Sequence, residues 1–143
     1  MGIFEHPRTN ENVIFIATLN ISSLLLYREQ RFRGYSILSF DPWDATSLDD
    51  LSKEEYFAFM GDLRSASKAL RKALTPDHMN YELLGNTNPH LHWHIVPRYQ
   101  TDPRWGQPIW EGYPRNEFNL NRHTLSDGEY KDIVLKIRSY ISV

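Results

Sequence analysis

His90-Leu91-His92-Trp93-His94-Ile95-Val96 places three histidines in strict alternation with apolar residues. In a strand, alternate side chains share a face. The stretch therefore predicts His90, His92 and His94 on one side, continued by Val96, with Leu91, Trp93 and Ile95 on the other. The apolar side anchors the strand, and the imidazole side is left free for chemistry.

The surroundings read as a small α+β domain. Residues 1–11 are polar, contain a Pro and have no periodicity, which predicts a loose N-terminal arm. Val13–Leu19, Ser22–Tyr27 and Tyr35–Phe40 are apolar runs of strand length, the last two joined by the charged connection Arg28–Gly34. Asp41-Pro42-Trp43-Asp44 interrupts the pattern. Ser52-Lys53-Glu54-Glu55 has capping-box spacing, and Tyr56, Phe59, Leu63, Ala66, Leu70 and Ala73 follow on one helical face, widened by Met60 and Leu74, until Pro76. Tyr81–Gly85 and Leu91–Pro97 are two further strand candidates. Residues 101–121, rich in Pro, Trp, Gly and Asn, predict a long loop. Ser126-Asp127-Gly128-Glu129 opens a C-terminal helix over 126–141, with Tyr130, Ile133, Val134, Ile137, Tyr140 and Ile141 on its apolar side. About five strands, mainly antiparallel, with one long helix between the third and fourth, is the expected architecture of a single domain over 1–143.

Composition narrows the function. A formal charge of −2 offers no general attraction to nucleic acid, yet a few well-placed groups suffice for one phosphate. The absence of cysteine excludes disulfides, thiolate nucleophiles and cysteine zinc sites. The start of the chain has no signal-peptide pattern, no stretch approaches the roughly 20 apolar residues of a membrane helix, and Gly2 lacks the acylation context. The default expectation is a cytoplasmic protein with neither membrane nor nucleic-acid partner.

Three readings of the histidines are open. As zinc ligands, neighbours at i and i+2 start about 6.6 Å apart and can converge on one ion, but i and i+4 start about 13 Å apart and cannot. A zinc site would then need His78, His123 or a carboxylate to complete its shell. As a nucleophilic system, the central imidazole attacks phosphorus, a neighbour two residues on contacts the phosphate or leaving oxygen, and the third braces the network that sets the tautomer. The remaining possibility is a polar strand face with no chemistry.

His90–Val96 matches the signature of the histidine-triad (HIT) family, His-x-His-x-His followed by two apolar residues. Pro97-Arg98 continues it, and Gly85-Asn86-Thr87 stands where that family has Gly-Gln-Ser or Gly-Gln-Thr. The likeness runs roughly from Val13 to Trp105. The resemblance implies that His92 is the nucleophile, that His94 contacts the α-phosphate and leaving group, and that the His90 carbonyl holds the His92 ring while its side chain braces the network. It further implies that Thr87 donates to a phosphate oxygen and that Asn86 stands for the family's Gln with a shorter reach. Asn80 resembles an upstream Asn that contacts ribose or phosphate, and Leu19, Asn20 and Glu29 would wall the nucleoside pocket. Trp43 stands about where many members have a His. A third histidine where the nucleotidyltransferase branch has Gln brings the chain nearer the hydrolases. Relatives form homodimers through the helix and an edge strand.

Arg98 is a candidate for steering a distal phosphate, with a solvated strand end as the competing reading. Arg104, Trp105, Trp110 and Arg115 could cap a base or simply pin their loop. Lys68, Arg71 and Lys72 read as solvated surface. The leading expectation is a nucleotide hydrolase acting on a dinucleoside polyphosphate or a nucleoside phosphoramidate. It requires no cofactor, although Mg²⁺ can accompany a polyphosphate. The alternatives are a nucleotide-binding module with little turnover, suggested by Gly85-Asn86-Thr87, and a His-ligated metal hydrolase.

Overall fold

The computed structural model describes residues 2–110 and 123–141. Five strands form one antiparallel sheet: β1 (Val13–Thr18), β2 (Ser22–Tyr27), β3 (Ser36–Phe40), β4 (His78–Glu82) and β5 (His92–Arg98), in the spatial order β1-β2-β3-β5-β4. Helix α1 (Lys53–Leu74) follows β3, and α2 (Asp127–Arg138) closes the described chain. This is the α+β architecture expected from the sequence.

Alternation along the ladders separates two faces. Leu24, Leu26, Leu38, Phe40, Met79 and Ile95 face the helices, where they meet Phe59, Leu63, Ala66, Leu70 and Ala73 of α1 and Ile133, Val134 and Ile137 of α2 in the main core. The opposite face holds a smaller cluster of Phe32, Tyr35, Val96 and Ile109. His92 and His94 belong to this second face, since β5 alternates and Ile95 faces the helices.

Both helices begin where the capping boxes place them. Ser52 accepts from Glu55 N–H while Glu55 reaches back to Ser52 N–H, and Ser126 and Glu129 repeat the arrangement. Helix α1 ends when Thr75 turns left-handed (φ 47°) after donating to the Arg71 carbonyl, and Pro76, lacking an N–H, cannot extend it. Tyr56 and Tyr140 are exposed rather than part of the apolar faces.

Three expectations need correction. β4 lies at 78–82, not 81–85. Pairing with β5 starts immediately after α1, with Asp77 N–H on the Arg98 carbonyl, and Gly85 sits at φ 72°, outside strand geometry. His90 precedes β5 instead of lying in it, because Leu91 N–H turns aside to the Ala45 carbonyl. The N-terminal residues are packed: Ile3 is buried in the main core, the His6 ring stacks on Phe15 at 3.5 Å, and Arg8 pairs with Asp41 at 2.8 Å. No described helix is long and apolar enough to cross a membrane.

Candidate active site

β5 delivers His92 and His94 to one cleft. Its neighbours set their surroundings: Ser39 of β3 lies opposite His92, Ile37 opposite His94 on the β3 side, and Glu82 of β4 opposite His94 on the other. The cleft, about 670 Å³, is lined by Leu84, Gly85, Asn86, Thr87, Asn88, His92, His94 and Trp110. The positive φ of Gly85 starts the turn that carries Asn86 and Thr87 over the histidines. On the other side of that turn a smaller cleft of about 210 Å³, lined by Thr46–Leu48, Leu83–Gly85 and Pro89–His92, also reaches His92.

The hydrogen bonds of the triad differ from ring to ring. His92 Nδ1 lies 2.5 Å from the His90 carbonyl, an acceptor only, so Nδ1 carries a proton and in the neutral ring the lone pair is on Nε2. The His90 side chain reaches away from its neighbours, with Nε2 at 2.6 Å from the Phe40 carbonyl and Nδ1 at 2.8 Å from the Asp44 carboxylate. His94 Nδ1 lies 2.7 Å from the Tyr35 hydroxyl. The His92 and His94 rings meet edge to face, with centroids 4.7 Å apart. Burial, with His92 beside it, pushes the His94 pKa down to about 4, so this ring is neutral at physiological pH. Burial also raises Glu82, partly offset by the 3.0 Å bond from Trp110 Nε1 and by the charge of Arg98.

Several residues named from the sequence lie elsewhere. Arg98 is neither a cation of the His92 cleft nor a solvated end. It is buried, bonded through Nε and Nη2 to Asp102 at 2.9 and 3.1 Å, and donates to the carbonyls of Pro103, Arg104 and Gln107. It also takes up the Asn80 side-chain oxygen at 2.8 Å. Asn80 consequently lines a separate cleft of about 560 Å³ with Arg98, Trp105 and Gln107 along the outer strand, not the cleft of His92. Leu19 is packed in the main core, and Asn20 N–H is bound to Asp62 of α1, both by the helical layer. Glu29 is buried and accepts from the N–H groups of Arg31 and His123, joining the β2–β3 connection to the segment before α2. These three therefore do not wall the cleft. Lys68, Arg71 and Lys72 are exposed, and Arg115 lies outside the described residues. Among the described residues no three His, Asp or Glu side chains cluster as a metal site: His78 stands opposite Arg98 and His123 beside Glu29.

Tyr35, Asp44 and Glu82 were not singled out from the sequence. Tyr35 and Ile37 share the alternation of β3, which was visible, but the adjacency of β3 to β5 was not. Asp44 falls in the Asp41-Pro42-Trp43-Asp44 interruption, which reads as a loop and carries no site motif.

Comparison with known proteins agrees with the fold. The HIT domain family matches residues 37–101. A histidine triad protein from Bradyrhizobium japonicum superposes with a TM-score of 0.82 at 26% identity over 96% of both chains. One from Sinorhizobium meliloti gives 0.81 at 21% identity over 97% of this chain and 99% of that one. A diadenosine triphosphate hydrolase from Plasmodium falciparum shares the fold at 16% identity, with a TM-score of 0.65 over 99% of this chain and 89% of that one. No curated protein sequence matches the chain significantly. The chain carries a histidine-triad (HIT) domain and has the fold of the histidine-triad proteins.

Proposed function

We propose that the protein is a nucleotide hydrolase that cleaves at the α-phosphate through a covalent nucleotidyl-His92 intermediate. The observation that carries this reading is the His92 ring itself. Its Nδ1–H is committed to the His90 carbonyl, which leaves the Nε2 lone pair beside a cleft that also holds His94, Asn86 and Thr87. The hydrolase activity named for the Plasmodium falciparum relative supports the same class.

In the proposed reaction Nε2 attacks phosphorus, a P–N bond forms, and the bond to the leaving group breaks with its electron pair. A polyphosphate departs as an anion, whereas an amine must gain a proton from solvent. His94 and the Thr87 and Asn86 side chains would donate to the phosphoryl oxygens as charge builds on them. Water then attacks phosphorus, the P–N bond breaks, Nε2 regains its lone pair and the proton of water leaves to solvent. Mg²⁺ would enter only as the counter-ion of a polyphosphate substrate. The test is a panel of adenosine and guanosine phosphoramidates and dinucleoside polyphosphates on wild type and His92→Asn. At least one class should turn over, with a loss of 10³-fold or more in the variant on the order seen for nucleophile removal. Equal rates in the two proteins would contradict the assignment.

A homodimer belongs to the same proposal. β4 is the outermost strand on its side, and a groove of about 670 Å³ runs between exposed Tyr81 and Met60, Leu63, Arg64, Ser67, Lys68 and Arg71 of α1. A light-scattering mass of two chains at micromolar concentration is expected; a mass of one chain would refute it.

A further inference from the structure

We infer that Tyr35 is a positioning residue for the proposed reaction: its hydroxyl donates to His94 Nδ1 and locks His94 as the Nε2–H tautomer, so that a fixed donor faces the cleft. Its catalytic meaning rests on the hydrolase reading, while the hydrogen-bond geometry alone carries the tautomer.

A phenol has one proton to give, and at 2.7 Å the Nδ1 lone pair of His94 receives it. The opposite arrangement, with the proton on Nδ1, would turn the hydroxyl hydrogen away from the ring. Among the described residues no other acceptor is bonded to that hydroxyl, so the alternative leaves a buried donor unsatisfied. Burial raises the Tyr35 pKa, with Tyr27 and Glu82 adding to the effect, which keeps the phenol protonated. The groups facing His94 are Glu82 from β4, His92 from β5, and Tyr35 just ahead of β3, with Tyr27 of β2 behind Tyr35.

Tyr35 is itself held firmly. Its N–H bonds the Phe32 carbonyl at 3.0 Å, and its carbonyl accepts from Tyr27 N–H at 3.0 Å. Its ring packs in the cluster with Phe32, Val96 and Ile109. Gly34, at φ 88°, supplies the turn that brings it there. The consequence is a division of labour between two adjacent copies of one residue type. An acceptor, the His90 carbonyl, sets His92 as Nδ1–H with a nucleophilic Nε2. A donor, the Tyr35 hydroxyl, sets His94 the other way. Exchanging donor for acceptor at one position would reverse the tautomer of that ring alone.

The test uses ¹⁵N-histidine-labelled full-length protein and long-range proton–nitrogen spectra between pH 5.5 and 8. The expected wild-type result for His94 is a protonated Nε2 and an unprotonated Nδ1, constant with pH; wherever the His92 ring is neutral, its proton should sit on Nδ1. In Tyr35→Phe the His94 signals should move toward a tautomer mixture, and kcat should fall about tenfold with KM changed less than about twofold. A wild-type His94 protonated on Nδ1, or averaging between tautomers, overturns the inference whether or not the variant folds. A Tyr35→Phe protein with unchanged His94 signals and unchanged kcat overturns it as well. A locked His94 in a protein that hydrolyses none of the nucleotide panel supports the inference and removes the hydrolase reading, so the two stand or fall separately.

Discussion

Replacing Arg98 with Ala separates an anchoring role from a ligand-binding one. The guanidinium bonds Asp102 twice, Asn80 once and three loop carbonyls, and its plane lies 5.1 Å from the Phe32 ring centroid. Arg98 and Asp102 are both nearly inaccessible, their side chains 3% and 6% exposed. Truncation leaves the Asp102 carboxylate buried without its guanidinium, while the bond from the Tyr99 N–H remains. Removing one member of a buried ion pair costs about 3–5 kcal/mol, a large share of a total stability of about 5–15 kcal/mol. The three freed carbonyls belong to exposed residues that water can reach, so they add little. For a chain of this size about 3 °C is lost per kcal/mol, and the melting temperature should fall by about 10–15 °C. Circular dichroism melts measure this directly. Arg98→Lys should recover little, because one ammonium cannot reproduce the fork. Arg98→Met with Asp102→Leu should recover part of the loss by removing both charges. A melting temperature within about 2 °C of wild type, together with a large rise in KM, would refute the anchoring argument and return Arg98 to the phosphate.

Other outcomes follow from the same structure. His94 has its pKa lowered from the ordinary 6.5 to about 4. Between those values the unfolded chain binds a proton that the native state does not, so stability rises with pH across this window and levels off above about pH 6.5. The full shift corresponds to about 3 kcal/mol, reduced to about 1–2 kcal/mol by the partial exposure of the ring. Urea titrations of wild type and His94→Gln at pH 4.5 and 7 should show the smaller pH dependence in the variant; equal dependence would contradict the buried neutral ring. Gly34→Ala should destabilise by about 2 kcal/mol or more. The left-handed φ strains an L residue, and the new Cβ would lie 2.3 Å from Leu74 Cδ1 and 3.0 Å from Pro97 Cγ. An unchanged denaturation midpoint would show that this turn relaxes freely.

Local signals carried most of the fold. Capping boxes at Ser52 and Ser126 marked both helix starts, and the alternation of 90–96 separated the helical face from the imidazole face. β4 was misplaced by three residues because Met79 and Tyr81 alternate with polar residues only briefly, and pairing with β5 decides the strand. The packed N-terminal residues were illegible, since one buried Ile3 and a stacked His6 leave no periodic trace. At the site, residues near the triad in sequence, Asn86 and Thr87, also line its cleft. Leu19, Asn20 and Glu29 do not, because their placement depends on which face and end of the sheet each connection meets. Tyr35 shows the complementary blindness: it lies 59 positions from His94 in the chain, and only the strand order brings them together.

The most direct test of the account is rapid acid or base quenching during turnover of an adenosine dinucleotide or phosphoramidate, followed by peptide mass spectrometry. The account predicts a nucleoside monophosphate attached to His92, absent in His92→Asn and cleared when substrate is exhausted. Steady turnover with no protein-bound nucleotide, or with the adduct on His90 or His94, would contradict it.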